Sequence, residues 1–191
     1  YLETLRRDDV RLVTDPIVRV TEDAVVTDGG THRVDAIIFA TGFETHDLPG
    51  PVDIRGRGGL ALHDAWRERP RTYLGLATPG FPNFFLLYGP NTNLGHNSII
   101  FMVECQVNYL VECLRQMRAA GVQAVEVRGD VVERFDRLQQ ARLRGSVWNA
   151  DCTNWYKTAD GAITNNWHGS TVEYWRRTRR PDLGDFEQVR I

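Results

Sequence analysis

The sequence predicts an α/β protein made of two part-domains whose sheets are incomplete within the chain. Three observations carry this. Strand-like and helix-like segments alternate along much of the second half, as they do when helices cover a sheet. The run Ala36–Ala40 is apolar without alternation, the pattern of a strand buried on both faces. Each half also supplies fewer strands than the roughly five or six that a doubly wound parallel sheet requires.

The elements follow in order. Residues 1 to 8 read as the last turns of a helix, and Val10–Val13 as a short strand broken by Pro16. Two strands are expected at Ile17–Val20 and Ala24–Thr27. Asp28-Gly29-Gly30 turns the chain and Thr31–Val34 returns antiparallel. The buried run Ala36–Ala40 ends in Thr41-Gly42. From Phe43 to Arg71 glycine and proline are dense, so this stretch reads as loop, with one helical turn within Leu60–Trp66. Strands are expected at Tyr73–Ala77 and Phe84–Tyr88. Ser98–Arg118 is the clearest helix: Ile99, Val103, Val107, Leu110, Leu114 and Met117 recur at helical spacing, and Gly121 ends it. A strand, Val122–Val127, and a second helix, Asp130–Leu143 with Asp130 as N-cap, follow. Val147–Ile191 is rich in Trp, Asn and Arg and has no clean period.

Composition narrows the function. The chain has 191 residues, 42% of them hydrophobic, enough for one core or pieces of two. A net charge of −2 is unlike the basic footprint of a nucleic-acid binder. No run approaches the ~20 apolar residues of a membrane helix. Tyr1–Arg7 is short and amphipathic, unlike a signal peptide, and the first residue is not Met, as in a fragment. Cys105, Cys113 and Cys152 form no CxxC pair, which argues against a disulfide framework or zinc site and for a reducing, cytoplasmic setting. Cys105 and Cys113 read as small apolar residues of a packed helix. The histidines, at 32, 46, 63, 96 and 168, have no metal-ligand spacing.

One hinge draws attention. An apolar run enters Gly89-Pro90-Asn91, a polar stretch follows, and the long helix starts at Ser98. A helix start presents unpaired N–H groups and the positive end of the dipole, suited to an anionic or electron-rich ligand. Asn97 or Ser98 can cap one N–H, and Gly89 lets a flat group approach the backbone. The 35 residues from Arg69 to Val103 contain no Asp or Glu, which suits a negatively charged partner. An ordinary turn followed by an ordinary cap accounts for the same residues. "GRGGLA", Gly56–Ala61, matches the dinucleotide fingerprint formally, but lacks a preceding strand and a following acid, so it reads as loop.

Three segments carry a resemblance. "VDAIIFATGFETHDLPG" resembles the ATG segment of flavin-containing monooxygenases. "TYLGLATPGFPNFFLLYGPNTNLGHNS" is similar to the late segment of Baeyer–Villiger monooxygenases, especially the 4-hydroxyacetophenone monooxygenase-like branch. "CTNWYKTADGAITNNWHGSTVEYW" resembles that family's C-terminal segment. The resemblance implies parts of two Rossmann-like units: residues 1–44 the end of an NADPH-binding domain, 45–70 a crossover, and 71–191 the last part of an FAD-binding domain with a substrate-lid tail. It implies FAD and NADPH as cofactors, and molecular oxygen with a ketone, aldehyde or heteroatom compound as substrates. Gly89, Pro90 and Asn91 would lie beside the flavin ring, and Asn97, Ser98, Ile99 and Ile100 at its N1–C2=O2 edge. Trp155 would stand at the nicotinamide–ribose side of the substrate pocket, with Thr41 and Gly42 near the same cofactor.

Each residue also has a plainer account: Trp155 as a half-buried core residue, Thr41-Gly42 as a strand exit, His96 as a solvated loop residue. Arg176, Arg177, Arg179 and Arg180 would form a solvated face or contact cofactor phosphates. The glycine fingerprints for FAD and NADPH, the FxGxxxHxxxWP signature and the catalytic Arg are absent, and His168 stands where relatives often carry Pro. The chain is therefore expected to need the missing N-terminal part of the same enzyme, and to be inactive alone. A cofactor-less binding or scaffold module derived from that family is the alternative.

Overall fold

A computed structural model describes residues 1–42, 50–151, 154–158 and 160–190. The expected boundary at residue 44, the start of the crossover, and Cys152 lie outside them. The chain divides into two compact units, Tyr1–Phe43 and Glu44–Ile191.

The first unit is a three-stranded antiparallel meander of β1 (Ile17–Val20), β2 (Ala24–Thr27) and β3 (Gly30–Arg33). Thr27 pairs with Gly30, leaving Asp28-Gly29 as the two-residue hairpin loop that such a dipeptide favours. Three expectations fail here. The opening residues form only a 3-10 turn at Thr4–Arg6, and Val10–Val13 is not a strand. Ala36–Ala40 is not a buried strand either: Ile38 is 91% and Phe39 78% exposed, and no described residue hydrogen-bonds their backbone. A strand exists only beside a neighbour that supplies the other half of its hydrogen bonds, and the meander does not extend to this run.

In the second unit α1 (Leu62–Ala65) precedes the long α2 (Ile99–Ala119), then β4 (Val122–Val127), α3 (Gly129–Leu143), α4 (Thr171–Thr178) and β5 (Phe186–Arg190). β4 and β5 pair antiparallel. The outer edge of β4 is covered by Asn83, whose N–H donates to the Val125 carbonyl at 2.9 Å and whose side-chain oxygen accepts from Val125 N–H at 3.0 Å. The core gathers Leu74, Leu76, Met102, Tyr109, Val125 and Phe135 with Trp167, Tyr174 and Phe186. A smaller cluster, Leu62, Trp66 and Phe81, lies under the glycine-rich loop, where "GRGGLA" is a turn that donates from Arg57 N–H to the Gly80 carbonyl at 2.7 Å. The expected class, α/β with incomplete sheets, is what the chain adopts. Among the described residues no helix is long and apolar enough to cross a membrane.

Several sequence expectations are corrected. Tyr73–Ala77 is a tight turn closed by one bridge, and Phe84–Tyr88 forms no ladder: it bends at Leu87 and Tyr88, the latter with φ 58°. Asp130 does not cap α3: Arg128 holds the cap position and Asp130, the second residue of the helix, accepts from its guanidinium at 3.0 and 3.1 Å. α4 and β5 were not visible as periods, although Ser170 and Glu173 form the S-x-x-E signature, with Ser170 Oγ accepting from Glu173 N–H at 3.1 Å. On α2 the face turned to the core is Met102, Cys105, Tyr109, Cys113 and Met117, whereas Val107 and Leu114 from the expected stripe are exposed. Cys105 and Cys113 are packed as expected, and burial pushes the Cys113 thiol up to about 11.

Candidate functional site

The start of α2 is open. Ser98 leaves the helix in extended conformation and its Oγ accepts from Phe101 N–H at 3.3 Å. Asn97 Oδ1 accepts from Ser98 N–H at 2.7 Å, and its Nδ2 donates to Thr171 Oγ1 at 3.3 Å, tying the hinge to α4. These bonds leave the N–H groups of Ile99 and Ile100 without partners among the described residues. Gly95 to Ser98 are exposed, as is His96, and the first turn carries no acid. Two free N–H groups at the positive end of a 21-residue helix fit the electron-rich edge of a planar ring.

The turn before it has a different task from the one its composition suggested. A Cβ on Gly89 would stand 2.3 Å from the Gly75 carbonyl oxygen, so the glycine serves backbone-to-backbone packing, not ligand approach. Pro90 is buried, and its carbonyl lies 3.4 Å from Thr72 Oγ1. Asn91 is buried in the left-handed region, φ 59°, which Asn tolerates better than most residues. Its N–H donates to the Thr164 carbonyl at 2.7 Å, and its Nδ2 to the carbonyls of Ile163 and Asn166 at 2.8 and 3.0 Å. Gly89-Pro90-Asn91 is thus the frame that fixes the hinge against the tail.

Trp155 is 49% exposed, its ring 4.0 Å from that of Tyr156. Asn165 connects it to the hinge, donating from Nδ2 to the Trp155 carbonyl while its own carbonyl accepts from Asn93 N–H, both at 2.9 Å. Tyr156 continues to Trp148 at 4.6 Å, and Trp148 lies on Gly95, where a Cβ would meet its ring at 2.4 Å. Lys157 holds the turn bearing Trp148 by donating to the carbonyls of Asn149 and Ala150. Trp148 was missed in the sequence, where no motif marks it. Thr41 and Gly42 belong to the first unit and are exposed there, Gly42 with φ 80°.

Behind the site a polar cluster joins α3 to α4. The His168 side chain is 1% exposed. Its Nε2 accepts from Arg142 at 2.7 Å and its Nδ1 faces Gln139 Oε1, so the ring is neutral with the proton on Nδ1. Burial, assisted by the Arg142 and Arg177 charges against the opposing pull of Glu173, lowers its pKa to about 4. Burial alone would raise the Glu173 carboxyl, but hydrogen bonds from Arg142 and Arg177 outweigh it and hold the group below its usual range. The arginine patch is therefore divided: Arg177 is spent on Glu173 and Arg179 lies 4.6 Å over Trp175, while Arg176 and Arg180 face solvent. Among the described residues no three His, Cys, Asp or Glu side chains gather as metal ligands.

The backbone has counterparts among solved monooxygenases. The chain superposes over 100% of its length on a steroid monooxygenase bound to NADP, with a TM-score of 0.81 and 30% identity, covering 38% of that chain. A complex of OTEMO with FAD and NADP matches 99% of it at a TM-score of 0.83 and 29% identity, covering 37% of that chain. No protein-family model matches the sequence. By sequence the chain is 37% identical over its whole length to a Baeyer–Villiger monooxygenase of Streptomyces coelicolor, and 39% identical over 97% to one of Pseudomonas aeruginosa. It is also 37% identical over 97% to the FAD-binding monooxygenase ktnD of Aspergillus niger. The chain belongs to the Baeyer–Villiger and FAD-binding monooxygenase family. It spans about a third of the relatives it matches, between 31% and 37% of their length.

Proposed function

We propose that the chain is the C-terminal part of an FAD- and NADPH-dependent monooxygenase that places one oxygen of O₂ into a ketone or aldehyde, or onto a heteroatom. What carries the reading is the likeness over 97–100% of the chain to monooxygenases, in order and without rearrangement. The relatives' names and the FAD and NADP of the neighbouring structures supply the cofactors. Bound FAD would supply the redox chemistry with NADPH and oxygen.

The chain's own residues would bind and orient. The Ile99 and Ile100 N–H groups would face the electron-rich N1–C2=O2 edge of the ring, favouring negative charge there by about 0.3–2 kcal/mol. Ser98 and Asn97 keep that helix start ordered, and Gly89-Pro90-Asn91 holds it at a set distance from the tail. The aromatic row Trp155, Tyr156 and Trp148 would form an apolar wall that excludes water from the reacting side. Residues 1–44 would end the NADPH-binding domain, with Thr41 and Gly42 near the nicotinamide cofactor. Residues 71–191 would close the FAD-binding domain, with 45–70 crossing between them. The rest of the relatives' length would come from an N-terminal part of the same enzyme, without which the segment is inactive, in the cytoplasm.

The test is to express the full reading frame and record its absorption spectrum and NADPH oxidation. A flavin spectrum with substrate-stimulated NADPH and oxygen consumption is expected. A colourless, inert full-length protein overturns the reading.

A further inference from the structure

Two bulky residues hold a backbone conformation that bulky residues avoid. Leu74 has φ 56° and Tyr88 φ 58°, both in the left-handed region, and neither lies in a helix or strand. A Cβ crowds the backbone there, so such residues persist only where their surroundings hold them, and they gather at binding and catalytic sites. Leu74 lies in the turn Tyr73–Ala77, and Tyr88 directly precedes Gly89-Pro90-Asn91. Turn and hinge are in contact: Leu86 N–H donates to the Leu76 carbonyl at 2.8 Å, and Gly89 makes room for the Gly75 carbonyl.

One buried pair holds both strained residues. Gln106 on α2 and Tyr174 on α4 are fully buried. Tyr88 N–H donates to Gln106 Oε1 at 2.8 Å, Gln106 Nε2 donates to Tyr174 Oη at 2.9 Å, and Tyr174 Oη donates to the Leu74 carbonyl at 2.6 Å. The direction is forced, because the N–H at one end can only donate and the carbonyl at the other can only accept. Every donor points the same way, so the bonds strengthen one another. Leucine and phenylalanine in these two places would fill the space and leave no polar group to satisfy. What the amide and the phenol add is a grip on two strained backbones.

The grip is tied to the helix start. Gln106 follows Ile99 by seven residues, about two turns and ~10 Å along α2. At about 100° per residue the two positions share one stripe. The helix that presents the Ile99 and Ile100 N–H groups therefore also fixes the hinge that leads into it.

We propose that Gln106 and Tyr174 are positioning residues of the ring site: they lock Tyr88, and with it the Gly89-Pro90-Asn91 frame, at one height along α2, so that hinge and helix start receive the flavin ring in a single arrangement. The proposal rests on the reading of the chain as part of an FAD-dependent monooxygenase.

Two measurements that need no turnover test it. In the 191-residue chain the Tyr88 N–H is expected to exchange about 100-fold or more slowly than the N–H of Ile100, which has no partner among the described residues. Equal exchange overturns the grip, with no variant required. In the deflavinated full reading frame, Tyr174→Phe and Gln106→Leu should each raise the FAD dissociation constant by about tenfold, read from flavin fluorescence. Val132→Ala, buried elsewhere in the core, is the control: its urea midpoint should fall while FAD affinity stays within about twofold of the parent. Parent-like FAD affinity in the Gln106 and Tyr174 variants overturns the proposal, and so does an equal weakening in Val132→Ala, which would make the effect one of stability. A parent that takes up no FAD overturns the monooxygenase reading and this proposal with it. A parent that binds FAD beside variants that bind it equally well overturns the positioning role alone.

Discussion

Val122–Val127 and Phe84–Tyr88 are both short apolar runs, and both read as strands. The first is one: β5 pairs along one edge and Asn83 covers the other, so Val125 is 2% exposed. The second has only scattered partners, bends at Leu87 and Tyr88, and leaves Leu87 half exposed. Ala36–Ala40 goes further, with neither edge satisfied among the described residues. The difference is not in the residues. It lies in whether a second segment arrives to take up the backbone hydrogen bonds, without which an apolar run remains bare.

The contrast can be broken most sharply by charge. Val125→Asp buries a carboxylate with no partner and should cost about 4 kcal/mol or more. Leu87→Asp should change stability by less than about 0.5 kcal/mol in the isolated chain. Urea unfolding followed by Trp fluorescence measures both, since all five Trp lie in the second unit. Equal costs would mean that the two runs do not differ as described.

Acid is the next largest perturbation. His168 is held neutral with its pKa near 4, below its unfolded value of about 6.5, so the unfolded chain binds the extra proton first. The stability this represents is complete above the unfolded value and is lost as pH falls from about 6.5 through 4, to the extent of about 2–3 kcal/mol. Glu173, held low by Arg142 and Arg177, acts in the same direction. His168→Gln should flatten the loss between pH 6.5 and 5, read from urea midpoints; a profile as steep as that of the parent would remove His168 from the account.

Gln106→Leu should cost about 2 kcal/mol. It removes the acceptor of the Tyr88 N–H and leaves Tyr174 without the donor that now reaches it at 2.9 Å. Faster exchange at Tyr88 would accompany the loss. A smaller loss is expected at the hinge, where Ser98→Ala removes the cap on Phe101 N–H and should lower stability by about 1 kcal/mol. The same change should leave the protein folded while loosening the order of the Ile99 and Ile100 N–H groups, seen as faster exchange there.

Much of the second unit could be read in advance where the signal is local. Ser98 as cap, the length of α2, the stop at Gly121 with φ 64°, and the strand that follows depend on neighbours a few residues away. The helix face could not be read that way. Branched residues marked α2's outer stripe, while the core took Met102, Cys105, Tyr109 and Cys113, because the core side is chosen by what packs against it. At the candidate site Asn97 and Ser98 were legible as caps. The use of Gly89 against Gly75, of Asn91 as a tie to Ile163 and Asn166, and of Trp148 on Gly95 was not, since these pairs stand far apart in sequence.

The amino-acid order alone determined the capped, acid-free helix start, the hairpin at Asp28-Gly29 and the apolar runs that ask for neighbours, because caps, turns and periods are set by bonds within a few residues. Tertiary structure decided which runs became strands, which side of α2 is inside, and that the hinge is clamped by the tail, because a hydrogen-bond partner or packing surface from a distant segment has to be in place before any of these choices exists.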